Sequence, residues 1–245
     1  AIAVVDMFLK QGQIVSVTGR SKPKSGANAT STTQLGEVPI LIMINGNSAS
    51  AAEIVAGALQ GNDRAVVLGS RSFGKGSVQE VQEIAGGLLK LTVARYDLPT
   101  GRTIDKKLTE DKELWGVDPN EGLVVIEQIE DHVERLKTSE PYRVIAKNEP
   151  EDAQCGDADW IETSLGDFQL AQALRTFTAK INEGEWSTLS EDDPITASIN
   201  DELEKLSKAA DLHMEAIEEI QKRVALLQGK EVLEEKLEEE EQEEE

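Results

Sequence analysis

Between Asn45 and Gln79 the chain reads NGNSASAAEIVAGALQGNDRAVVLGSRSFGKGSVQ, and two residues in it can do chemistry together. Ser50 carries a hydroxyl that can attack a carbonyl carbon. Lys75 follows 75 − 50 = 25 positions later and carries an amine that can take the hydroxyl proton. A lysine at its reference pKa of ~10.4 is charged at neutral pH and accepts nothing. Burial among apolar neighbours disfavours the charge and brings the amine into working range. Such a base needs no histidine, and both histidines, His132 and His213, lie outside the segment. The reaction would be acyl transfer, with Ser50 as nucleophile and Lys75 as general base.

Each residue also has a plainer reading. Ser50-Ala-Ala-Glu53 is a capping box, in which serine and glutamate satisfy the first helical N–H groups; Ser48 could cap equally well and free Ser50. Lys75 between Gly74 and Gly76 fits an ordinary exposed turn lysine. A rival class comes from Gly69-x-x-x-x-Gly74-Lys75, which nearly spells a phosphate-binding loop. That motif needs Ser or Thr after the lysine and then a helix. Position 76 is Gly, Gly86-Gly87 breaks any helix, and the strand LIMI runs into Asn45 rather than an Asp. Nucleotide binding and a catalytically inactive interaction module are therefore the alternatives to an enzyme.

The elements that must position these residues are legible in part. Val38–Ile44 (VPILIMI) is an apolar run of strand length, expected to be buried on both faces. Ala51–Leu59 reads as a helix and Arg64–Gly69 as a second strand, so strand, helix and strand form a βαβ unit with parallel strands. A nucleophile at Ser50 then stands at a strand's carboxyl end and a helix's amino end, where free N–H groups can stabilise an anion. Ala1–Lys10 reads as a helix, Gln13–Thr18 as a strand, Gly19–Gly36 as a loop and Leu88–Tyr96 as a later strand. From Ile199 to Leu227 an apolar seam steps by four and three through Leu203, Leu206, Ala210, His213, Ile217, Ile220 and Val224. That suggests a coiled coil, for self-association or a partner helix, or a helix docked on its own core.

The net charge of −22 argues against attraction to nucleic acid or an anionic membrane. Much of the excess sits in the Glu-rich end after Gly229. One cysteine, Cys155, excludes an internal disulfide framework and a multi-cysteine metal site. No apolar run approaches the ~20 residues needed to cross a bilayer. The opening AIAVVDMFLKQGQIV lacks a charged n-region and a cleavage site, and reads as a helix entered in mid-course, as in a chain cut from a longer protein.

NGNSASAAEI, GSRSFGKGSVQ and LKLTVARYDLPTGRTI resemble, in order and spacing, three signatures of the carboxy-terminal processing (tail-specific) peptidases. WGVDPNEG and DFQLAQAL extend the resemblance, so it covers Ala1 to about Ile181. It implies that Ser50 is the nucleophile, Lys75 the base, Gln79 the residue that orients the lysine, and the Ala51 N–H one oxyanion donor. It implies an α/β core of the spiral ββα (ClpP/crotonase-like) type over residues 1–186; the apolar seam and the Glu-rich end, outside the resemblance, make 187–245 an acidic amphipathic helical extension with an expected disordered tail. It also implies protein or peptide substrates cut near their C-termini, no metal or organic cofactor, and a bacterial envelope or periplasmic location. Ser70-Arg71-Ser72 departs from the usual acidic residue and threonine, with no expected effect on a catalytic role. The family's Gly-Gly oxyanion segment and PDZ domain are expected upstream of Ala1, so these 245 residues alone should cleave poorly.

Overall fold

A computed structural model describes residues 1–19, 24–31, 33, 35, 37–109, 113–139 and 154–243. Two compact units divide the chain, Ala1–Ser198 and Ile199–Glu245. In the first, β1 (Gln13–Gly19) is flanked by β2 (Ser25–Asn28) and by β6 (Gly87–Asp97). β5 (Ser77–Ile84) folds back on β6 to complete an antiparallel sheet of order β2-β1-β6-β5. The β5–β6 hairpin closes through Ala85 and Gly86, both at positive φ, which is the turn geometry that matches strand twist. In β1–β6 the register sets Val17 opposite Tyr96 and Ser16 opposite Asp97.

The expected βαβ unit is present. β3 (Leu41–Ile44) and β4 (Val66–Gly69) run parallel, from Leu41 beside Val66 to Ile44 beside Gly69. Parallel strands need a long crossover, and α2 (Ala51–Gly61) provides it. Its inner face is small, with Ala56, Gly57, Ala58 and Leu59 buried. A Cβ at Gly57 would stand 2.5 Å from Leu98, so glycine is what lets the helix come this close. Burying Leu59 removes its side chain from water and contributes about 2–3 kcal/mol. The main core joins Val5, Leu9, Ile14, Val67, Tyr96 and Ile104 to these residues.

Four expectations need correction. The helix expected over Ala1–Lys10 is α1 (Ile2–Asp6) and stops at Asp6. The strand expected from Val38 begins only at Leu41, because Leu41–Ile44 is the stretch that finds a partner in β4. Nor is it buried on both faces: Ile44 is buried and Met43 is exposed. The expected loop Gly19–Gly36 contains β2, and its residues 20–23, 32, 34 and 36 lie outside the described ones.

Beyond Gly122 come α3 (Ile129–Ser139), a short turn α4 (Ala158–Trp160), a π-turn (Ile161–Leu165) and α5 (Phe168–Glu183). The long helix α6 (Pro194–Glu243) begins where Asp193 accepts from the Thr196 N–H and Oγ, with Pro194 at the first helical position. Its residues from Ile199 onward form the second unit.

Candidate active site

Asn45 leaves β3 in a turn, where its N–H donates to Ser48 Oγ. Ser48 therefore caps this turn rather than α2. Ser50 follows as the N-cap of α2 with φ 58° and ψ −112°. An ordinary N-cap sits in the β region, and a non-glycine residue at positive φ stores ~1–3 kcal/mol of strain. Ser50 and Glu53 stand in capping-box relation, yet the hydroxyl approaches the Glu53 N–H without completing a cap hydrogen bond. The carboxylate arm is formed: Ser50 N–H donates to Glu53 Oε2 at 2.7 Å.

Glu53 is fully buried and does much more than cap. Its Oε2 also accepts the Lys75 N–H at 2.9 Å, while Oε1 accepts Gly74 N–H at 2.7 Å and Ser72 Oγ at 2.6 Å. The N–H groups of Ser50 and Lys75 thus converge on one oxygen. The lysine loop is held from other sides too. Phe73 N–H donates to the Ser48 carbonyl, Gly76 N–H donates to Asp105 Oδ2, and Tyr96 Oη donates to the Lys75 carbonyl. Gly74 has φ +84°, and a Cβ there would lie 2.6 Å from Trp115. The Tyr96 phenol also hydrogen-bonds the Ser50 side chain. Burial, with the Glu53 and Asp105 carboxylates nearby, holds the phenol above its ordinary pKa despite that bond.

Ser50 is half-buried, while Ala51, Lys75 and Gln79 are exposed. The Ala51 N–H, at the first position of α2, has no backbone acceptor among the described residues. Gln79 lies in β5 at a register shift opposite Thr92. The structure brings the backbones of Ser50 and Lys75 together. Among the described residues it forms no hydrogen bond between Ser50 Oγ and Lys75 Nζ, nor between Gln79 and Lys75. Lys75 does not have the apolar burial expected of it. Its neighbours Gly74 and Gly76 and its own backbone are pinned, and the side chain projects outward.

The Ser70-Arg71-Ser72 departure is part of the support after all. Ser72 Oγ donates to Glu53 and accepts from Val117 N–H, and buried Arg71 pairs with Asp118 and covers Trp115 at 4.3 Å. The phosphate-loop alternative loses its cradle. The Gly74 and Lys75 N–H groups that would grip phosphate are filled by Glu53, and the chain continues into β5 instead of a helix. Among the described residues no cluster of His, Cys, Asp and Glu could hold a metal ion, and no helix is long and apolar enough to cross a membrane.

This is a mixed α/β unit in which a strained serine at a strand-to-helix turn is tied to a lysine loop. Residues 1–121 match the model of Peptidase family S41, and this half of the chain belongs to that family. It is 48% identical over 109 residues to a carboxy-terminal-processing protease of Bartonella bacilliformis, covering 42% of this chain and 24% of the relative. It is 38% identical over 111 residues to the chloroplastic carboxyl-terminal-processing peptidase 2 of Arabidopsis thaliana, covering 43% and 21%. A solved photosystem II D1 C-terminal processing protease matches at 29% identity with a TM-score of 0.45, over 51% of this chain and 30% of that one. The aligned part of the chain thus spans about a quarter of the length of the curated relatives it matches.

Proposed function

We propose that the chain is the catalytic part of a serine-type endopeptidase that hydrolyses protein substrates near their C-termini. Ser50 Oγ attacks the peptide carbonyl as neutral Lys75 Nζ takes its proton. The Ala51 N–H at the amino end of α2 donates to the developing oxyanion. Collapse of the tetrahedral species breaks the C–N bond, and Lys75 returns the proton to the leaving amine. Water then attacks the acyl-enzyme with Lys75 again accepting a proton, releasing the acid and restoring Ser50. Gln79 orients the lysine side chain. The observation that carries this reading is the convergence of the Ser50 and Lys75 N–H groups on Glu53 Oε2, which fixes nucleophile and base loops to one atom.

Lys75 needs apolar cover to work as a neutral base. We assign that cover to the docked substrate. The βαβ unit and the antiparallel sheet would belong to a spiral ββα core over residues 1–186, and an envelope location follows the family resemblance. In the full-length protein, Ser50→Ala, Lys75→Ala and Lys75→Arg should each abolish cleavage of an unstructured peptide with unchanged circular dichroism. The arginine variant fails because guanidinium does not deprotonate. Residual turnover near wild type in any of the three removes the dyad. Association through Ile199–Leu227 is a separate proposal and does not depend on this one.

A further inference from the structure

The second unit carries an apolar stripe that is largely exposed among the described residues. Leu203, Leu206, Ile217, Ile220, Val224 and Leu227 are between 45% and 63% exposed along one line of α6. Their spacing places Leu203, Ala210, Ile217 and Val224 at one core position of a heptad, and Ile199, Leu206, His213, Ile220 and Leu227 at the other. A stripe of this length gains free energy only when another surface removes it from water.

The charge pattern says which surface. Glu204, Asp211, Glu215 and Glu218 stand at heptad positions away from the seam. The flanking positions, which face the neighbouring helix in a coiled coil, hold Ser207, Ala209, Met214, Ala216 and Gln221. The strong acidity of the chain is thus absent from the contact face, and self-pairing meets no repulsion there. Among the flanking positions of the described seam, the charged ones are Glu202 and Arg223, of opposite sign.

We propose that α6 pairs with α6 of a second copy of this chain as an antiparallel coiled coil. Antiparallel layers match one core position with the other. Ile199 then meets the partner's Val224, Leu203 the partner's Ile220, and Leu206 the partner's Ile217. Ala210, the small residue of the seam, faces the partner's His213, the polar one. The same register brings Glu202 beside the partner's Arg223, and the two-fold axis repeats the pair. In a parallel pair Glu202 would flank Ser207 and Arg223 would flank Gln228, so the complementary charges never meet. A parallel pair would also align the two segments 230–243, each with eight Glu and two Lys; the antiparallel one sends them to opposite ends.

Sedimentation equilibrium of the 245-residue chain at tens of micromolar and low salt tests this. The expected mass is twice 26.7 kDa. Ile217→Lys buries a lysine twice in the seam and should weaken pairing at least ~100-fold. Glu202→Arg and Arg223→Glu should each weaken it about tenfold, and the double swap should restore it. Trp115, Trp160 and Trp186 all lie in Ala1–Ser198, so their fluorescence reports that this unit stays folded in every variant. A monomeric wild type, or a dimer indifferent to Ile217→Lys, overturns the surface. A double swap that fails to restore pairing overturns the antiparallel arrangement, and a mass of three copies or more overturns the pair.

Discussion

Replacing Glu53 by Gln removes a charge and turns one carboxylate oxygen into an NH2 group, with almost no change of shape. The amide can be placed in two ways. With nitrogen in the Oε2 position it would face two donors, the Ser50 and Lys75 N–H groups at 2.7 and 2.9 Å, and orphan both. With nitrogen in the Oε1 position it faces Ser72 Oγ, which can turn to accept, and Gly74 N–H, which cannot. The second placement orphans one buried donor, at about 1–3 kcal/mol. The two bonds that survive on the remaining oxygen lose their charge assistance, at roughly 1 kcal/mol each. The sum is about 3–5 kcal/mol, a large share of the ~5–15 kcal/mol that holds a domain folded. Urea unfolding of the chain, followed by tryptophan fluorescence, should show a midpoint lowered accordingly. In the full-length protein kcat should fall about 100-fold with little change in KM, because under the proposed mechanism Glu53 would position Ser50 and Lys75 without touching substrate. A variant within about 0.5 kcal/mol of wild type and with unchanged kcat would refute the view that this carboxylate is the tie.

Tyr96→Phe removes the bond to the Lys75 carbonyl and the contact with the Ser50 hydroxyl. It should cost about 1 kcal/mol in unfolding and about tenfold in kcat, and an unchanged kcat in the full-length protein would exclude the phenol from the site. Burial raises the pKa of Glu127, but hydrogen bonds and charge from Arg135 and His132 outweigh it and hold the carboxyl below its usual range. A depressed folded pKa gives stability that is present at neutral pH and lost as pH falls through it. Urea midpoints of wild type and Glu127→Gln should therefore differ at pH 7, and the gap should start to close as pH falls below the ordinary glutamate pKa of ~4.3; a gap that does not narrow as the pH is lowered further would contradict the assignment.

The β3–α2–β4 crossover was legible because its signals are local: an apolar run, a small-residue helix and a second apolar run. So were the positions of Ser50 and Lys75 at the ends of elements. The strand β5 was not, since SVQEVQEI shows no clean alternation and its partner β6 decides its conformation. β2 escaped for the same reason, being four residues of Ser, Gly, Ala and Asn that pair with β1. Glu53 was visible only as the partner of a cap three residues away. Its other donors come from 19 to 22 positions along the chain, and no local pattern announces a buried carboxylate shared by two loops. Tyr96 carries no local signature either. Its role arises because the β5–β6 hairpin returns it beneath the lysine loop.

The backbone of Ser50 makes this position an exception among the residues of α2. Every amino acid with a Cβ resists φ 58° with ψ −112°, whereas glycine adopts it freely. The fold on its own would therefore be better served by glycine at position 50, and under the proposed function the serine there gives up stability for reactivity. This has a practical side for anyone preparing an inert form of the molecule. Alanine deletes the hydroxyl and keeps the strain, so it preserves the geometry that a bound peptide would meet. Glycine deletes both, and lets the turn between strand and helix relax into a different shape.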